Sequence, residues 1–231
     1  MTPPGSRTAD AAPLAAPKAA RQRARKGEGD RTHEEILDAA ESLLDRLGSE
    51  DAVSIRAVAD VVGLTAPAIY RHFPDKAHLI FEVCERHFDR LDVEVVQPAL
   101  ATHRDDPVEA IRAIGHGYVR FGLENPEHYR IMFMGNADHT PELYAEKRPL
   151  ENGALGTTVA LVQRALDEGR LRRSAGDAVT ITWVLWSGLH GALASKVAMP
   201  NMPGPALEQV VDAVFDVFLH GVLADPGHPS S

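Results

Sequence analysis

Apolar residues along this chain recur at intervals of three and four, without sustained alternation, so the pattern predicts helices and no sheet. The first helix is expected to open at "THEE", with Thr32 as its cap and Glu35 completing a capping box. Ile36, Leu37, Ala40, Leu43, Leu44 and Leu47 then form one face, and Gly48 is the stop. A short second helix begins at Ser54 in "SIRAVADVVG", turning Ile55, Val58, Ala59 and Val62 inward and ending at Gly63. Thr65 is the next candidate cap, for a third helix over about residues 66–73. Pro67 lies in its first turn, where a missing N–H is harmless. Asp75 caps a fourth, longer helix whose apolar face is Leu79, Ile80, Val83, His87, Phe88 and Leu91.

After a break expected near Pro98, Pro107 to Glu124 reads as helix and "NPEHYRIMFMG" as another short one. Residues 140–169 follow as helix interrupted at Pro149 to Gly153, then a long helix over Asp177 to Val197, and "GPALEQVVDAVFDVFLHGVL" as the last. Ala178 to Ser195 holds no charged residue, but Thr180, Thr182, Ser187, His190 and two glycines favour a helix buried in a folded core over a membrane span. The expectation is an all-α chain of nine or ten helices. A tail over 1–29 precedes a helix-turn-helix domain over 30–92, a larger helical domain over 93–223 and a disordered end over 224–231.

Composition adds little to the fold: 231 residues, 44% hydrophobic and 25% charged, are those of an ordinary globular protein. Cys84 is the only cysteine, which excludes an intrachain disulfide, and a half-buried helical position is expected for it. The net charge of -9 is unevenly spread. Residues 1–26 hold six Lys and Arg against one Asp, whereas residues 92–231 hold eleven against eighteen Asp and Glu. The Ala-, Pro- and Gly-rich start is read as disordered, with a basic arm from Lys18 to Lys26. Its basic cluster comes last and no apolar run follows, unlike a signal peptide, so a cytoplasmic location is expected. A minor-groove contact and a merely solubilising tail both fit the arm.

Charge placement changes the picture around "LTAPAIYRHFPDKAHLI". Gly63-Leu64-Thr65 is the three-residue connection that a helix-turn-helix requires. A recognition helix needs a slim leading edge to enter the major groove, and Thr65, Ala66, Pro67 and Ala68 supply one. Arg56 is the candidate for a bidentate guanine contact. Tyr70, His72 and Lys76 are placed along the phosphates, and Ser54 offers a further donor. Singly, each has a plainer reading: Tyr70 as a core aromatic, Lys76 as a solvated charge. Their order within one stretch carries the argument.

That stretch, with "ILDAAESLL" before it and the signature G-L-T-x-x-x-I-Y-x-H-F-x-x-K within it, resembles the TetR family of bacterial transcriptional repressors. The resemblance implies an all-α homodimer whose first three helices bind a double-stranded DNA operator and whose remainder binds a small-molecule effector and the partner subunit. It places Tyr70, His72 and Lys76 on phosphates and Arg56, Ala66, Pro67 and Ala68 toward bases.

No HExxH, GxSxG, P-loop or zinc-spaced Cys/His set is present, so no enzyme, cofactor or metal is expected. The eleven histidines are dispersed, although spacing alone does not exclude a site assembled from distant residues. "WSGLHGALAS" and "RFGLENPEHYRIMF" resemble a TetR C-terminal subtype named for Trp186, His190 and Gly191. Tyr118, Phe121, Met132, Met134, Trp183, Trp186 and His190 are candidates to line an apolar effector cavity. The alternative is that Trp186 and His190 simply fix helix packing, with Gly191 allowing close approach. The last helix is apolar on two sides, Leu207, Val211, Phe215, Phe218 and Val222 on one and Val210, Val214 and Val217 on the other. That predicts a four-helix contact with a second copy. The reading is a ligand-responsive repressor on a palindromic operator, with no membrane role. The rivals are a helical small-molecule binder or enzyme without DNA function, and a TetR-like activator or nucleoid-associated binder.

Overall fold

The computed structural model describes residues 28–133 and 141–222. The basic arm Lys18 to Lys26, Met134 and the end over 224–231 lie outside the described residues. The chain is all-α, with eleven α-helices and no strand among the described residues. These are α1 (Glu28–Leu47), α2 (Ile55–Val62), α3 (Ala66–Ile69), α4 (Lys76–Leu91), α5 (Gln97–Thr102) and α6 (Pro107–Glu124). Then come α7 (Pro126–Phe133), α8 (Pro141–Lys147), α9 (Gly153–Asp167), α10 (Ala178–Ala198) and α11 (Leu207–Val222).

The first helix starts earlier than its sequence signal. Thr32 and Glu35 lie inside α1 and do not cap it, and residues 28–29, expected in the tail, are already helical. One exposed glycine, Gly29, costs a helix only about 1 kcal/mol, and the Arg31–Glu35 pair at i, i+4 supports the extra turn. Leu47, assigned to the inner face, is 44% exposed in the fraying last turn. The remaining face packs as expected, with Ile36, Leu37, Ala40, Leu43 and Leu44 buried against Val58, Ile69, Phe73, Leu79, Ile80 and Val83. Cys84 is fully buried, not half-buried, its Sγ donating to the Ile131 carbonyl of α7 at 3.5 Å. Burial pushes its thiol up to about 12.

The break expected at Pro98 does not occur. Backbone angles stay helical through Leu91, Asp92, Val96 and Gln97, and Asp92–Val96 form a π turn before α5 resumes. The Gln97 N–H reaches the Asp92 carbonyl five residues back. Pro98 follows directly on this π turn, whose shifted hydrogen bonding lets the rod continue past a residue without an N–H. α4, the π turn and α5 thus form one continuous rod.

The larger core runs from Leu91 to Val222 and is built around α6, α9, α10 and α11. α6 can lie close to its neighbours because it carries glycines at the crossings. A Cβ on Gly115 would meet Phe215 Cζ at 2.4 Å, and one on Gly122 would meet Leu193 Cδ2 at 2.5 Å. No helix among the described residues is long and apolar enough to cross a membrane. α10, whose one charged residue is Lys196 in the last turn, instead buries Ala178, Ile181, Leu185, Leu189, Leu193 and Val197 along the core. On α11, Leu207, Val211, Phe215, Phe218 and Val222 face inward.

Candidate functional site

Ser54 caps α2 through its side chain, which accepts from the Ala57 N–H at 3.1 Å. Gly63 ends that helix in the left-handed region at φ 68°, and the Leu64 N–H turns back to the Ala59 carbonyl at 2.9 Å. A residue with a side chain is strained in this conformation, so the glycine sets the angle at which α3 leaves. α3 is shorter than the helix expected over 66–73. After Ile69 the hydrogen bonds tighten to the i−3 type, from Arg71 N–H to Ala68 O and from His72 N–H to Ile69 O. This tightening brings the Phe73 ring into the core, where it stacks on His33 with centroids 4.4 Å apart.

The tip is exposed, but not every candidate residue sits on it. Ser54, Arg56, Thr65, Pro67 and Tyr70 are exposed, Tyr70 by 52%. A core role for Tyr70 is therefore ruled out. Ala66 is half-buried, and Ala68, read as base-facing, is buried beside Ile69 on the inner side of the four-residue helix. The leading edge is thus Thr65 and Pro67, with Ala68 as its floor. Thr65 occupies the cap position but its side chain makes no capping hydrogen bond, which leaves the hydroxyl to groups outside the helix.

His72 is half-buried, its ring 6.1 Å from that of His33. Burial, with His33 and Arg71 nearby, lowers its pKa, so it faces any phosphate as a neutral donor. Lys76 is half-buried too and donates to the Glu50 carbonyl at 2.5 Å, so one of its three N–H bonds is spent inside the domain. Glu50 itself is buried with Oε1 unpartnered. Desolvation raises its pKa against the lowering effect of Lys76. Lys76 therefore holds the Glu50–Ala52 turn as well as the start of α4. Arg71, one of the donors that "LTAPAIYRHFPDKAHLI" gathers after its small turn, is exposed on the same turn as Tyr70.

The second candidate set gathers around His190. Tyr118 and Tyr129 place their hydroxyls 2.9 and 3.0 Å from His190 Nδ1, and Trp186 stacks on the imidazole with centroids 4.7 Å apart. Phe133 closes the group edge-on at 4.9 Å. Burial raises the pKa of both tyrosines, Tyr129 to about 12, and lowers that of His190. Both phenols therefore stay protonated beside a neutral ring; Nδ1 has a lone pair for only one of them, and the Tyr129 hydroxyl also reaches the His190 carbonyl at 3.4 Å. Phe121 and Met132 are buried in the common core, while Trp183 is 44% exposed and touches the cluster only through Trp186, edge-on at 5.0 Å. Tyr129 and Phe133 were not among the expected lining residues. Their only sequence signal is a place on the apolar face of α7. Gly191, expected to permit close approach within the chain, is exposed with nothing within 4 Å of a Cβ there; Gly188 makes the approach instead, 3.0 Å from Val214.

Comparison with known proteins places both halves of the chain. Residues 36–83 match the family described as bacterial regulatory proteins, tetR family, and residues 111–221 match the tetracyclin repressor-like C-terminal domain. The chain is 28% identical over 149 residues to the HTH-type transcriptional activator FasR of Mycolicibacterium smegmatis, covering 64% of this chain and 66% of FasR. Over 66 residues it is 38% identical to the HTH-type transcriptional repressor KstR of the same species, covering 29% of this chain and 32% of KstR. It thus spans just under two thirds of the first relative and about a third of the second. Among solved structures, the SmeT–triclosan complex superposes with a TM-score of 0.63 at 25% identity, over 87% of this chain and 98% of that one.

Proposed function

The chain belongs to the TetR family of bacterial regulatory proteins, and from that premise we propose that it is a ligand-responsive transcriptional repressor, not an enzyme. It reads a palindromic operator as a homodimer through residues 30–92, and residues 93–223 sense the effector and pair the subunits. The observation that carries this reading is the exposed Thr65–Pro67 edge flanked by Arg56, Tyr70 and Arg71. In this reading Arg56, Thr65 and Pro67 face bases. Ser54, Tyr70, Arg71, His72 and the remaining donors of Lys76 hold phosphates. Selection from random duplex DNA should recover a two-fold symmetric site with half-sites about 34–36 Å apart. Recovery of no enriched sequence would remove the operator reading.

The effector site is proposed at the Tyr118–Tyr129–His190 group, where a neutral imidazole and two phenols supply the few polar contacts of an apolar site. SmeT, of the same fold, is known with triclosan bound, which supports an apolar effector here. Binding would change the emission of Trp186 and free the operator. The Asp92–Val96 π turn, between the two cores, is the proposed pivot.

The subunit contact is proposed on the outer sides of α10 and α11. Val184 and Val217 are 61% and 77% exposed there, with Gly191 among small neighbours. Light scattering at micromolar concentration should give a dimer mass, and Val217→Glu should give a monomer. A buried charge facing its own two-fold copy has no partner. A dimer mass unchanged by Val217→Glu would place the contact elsewhere.

A further inference from the structure

Where the helix-turn-helix unit meets the C-terminal helices, three side chains converge that the regulator reading leaves unused. Glu41 of α1, His87 of α4 and His128 of α7 each bring one ligand atom within 4.8 Å of the other two. His87 is only 1% exposed, and its Nε2 has no hydrogen-bond partner. That nitrogen lies 3.9 Å from Glu41 Oε1, beyond hydrogen-bond range. The His128 ring stacks on His87 with centroids 4.3 Å apart. The buried, unpartnered imidazole nitrogen thus faces a carboxylate oxygen without a hydrogen bond between them. A cation between them satisfies both.

We propose that Glu41, His87 and His128 bind a divalent transition ion of the zinc class, tying α1 and α4 to α7. Two imidazoles and one carboxylate are a donor set such ions take, with a position left for a further ligand. Asp45, whose Oδ2 is 4.0 Å from His128 Nε2, is placed to fill it. On the Glu41 side the surroundings suit a metal ligand. Arg86 Nη1 holds Glu41 Oε2 at 3.4 Å, which fixes the carboxylate and leaves Oε1 turned to His87. The charge of Arg86 is already met by Glu34 and Asp38 at 3.0 and 2.8 Å. Arg90 Nη1 donates to His128 Nδ1 at 3.4 Å in the metal-free protein, so binding through Nε2 moves the ring proton to Nδ1 and displaces this contact.

Access and adjustment are both provided for. Glu41 and Asp45 lie on the solvent side of the cluster, on an open groove they share with Asp38, Ser42 and Arg46. His87 is fixed by burial, whereas the side chains of Glu41 and His128 are 20% and 18% exposed and can close to bonding distance. Glu34, Asp38, Glu41 and Asp45 follow one another at intervals of four, three and four, so one face of α1 is acidic toward the site. Any effect of the ion on operator binding rests on the function proposed above; metal binding itself does not.

The test uses the untagged full-length chain, stripped with chelator, titrated with Zn²⁺ against a chromogenic chelator and with Co²⁺ followed by visible absorption. One ion per chain is expected, with Zn²⁺ raising the melting temperature. Glu41→Gln and His128→Gln, which keep most of the side-chain volume, should each still give a cooperative melting transition without metal. They should weaken Zn²⁺ binding about tenfold or more and abolish the metal-dependent rise. Absence of stoichiometric binding, or binding that survives both substitutions, overturns the proposal, and neither result touches the operator reading.

Discussion

Phe215→Ala should destabilise the chain by about 3–5 kcal/mol, the range for emptying a fully buried aromatic site. Phe215 is 0% exposed, stacks on His116 with centroids 5.2 Å apart, and has the Arg112 guanidinium 5.3 Å from its ring centre. Its ring fills the space that Gly115 leaves on α6, so α6, α10 and α11 all lose a shared contact when it is removed. Collapse of the cavity is opposed by backbones already in close approach, which puts the expected cost in the upper part of the range. Urea unfolding followed by circular dichroism measures it. A loss under about 1 kcal/mol would mean that the three helices are not packed around this ring. Phe215→Leu, which keeps most of the volume, should lie well below the alanine variant.

The second large effect concerns DNA. On the proposed reading, in which Arg56 makes a bidentate guanine contact, Arg56→Ala should weaken operator binding by about 1–3 kcal/mol and relax preference at a single base pair. Arg56 is exposed in the first turn of α2, so the substitution removes no core contact and the melting temperature should hold. Arg71→Ala is the matched comparison. It should weaken binding evenly across sequences and lower the slope of affinity against salt by about one. If Arg56→Ala also weakened all sequences evenly, Arg56 would be a phosphate contact and base reading would pass to Thr65 and Pro67.

Much of the first 90 residues was legible because its signals are local. Ser54, Gly63 and Asp75 act through bonds within four or five residues, and each ends or starts a helix where the sequence places it. The apolar periods of α1, α2, α4 and α11 gave their buried faces for the same reason. The start of α1 and the missing break at Pro98 were misjudged because a helix can absorb one glycine, or shift register through a π turn, when its neighbours hold it. Ala68 was misplaced because α3 is only one turn long, so a single residue's rotation separates the groove side from the core side. Lys76 was read as a free donor, whereas the Glu50 carbonyl it meets is 26 residues away.

The sequence by itself determined that this chain is helical, that turns fall at Gly63 and before Asp75, and that a helix-turn-helix with a slender tip lies near its start. These follow from short-range sterics and hydrogen bonding, which a one-dimensional pattern encodes. Only the tertiary structure decided which side chains meet across helices: Tyr118 and Tyr129 on His190, and Glu41 with His87 and His128. Those groups come from helices separated by dozens of residues. Their convergence depends on crossing positions set by buried volume, such as the gaps at Gly115 and Gly122, which no spacing of residue types records.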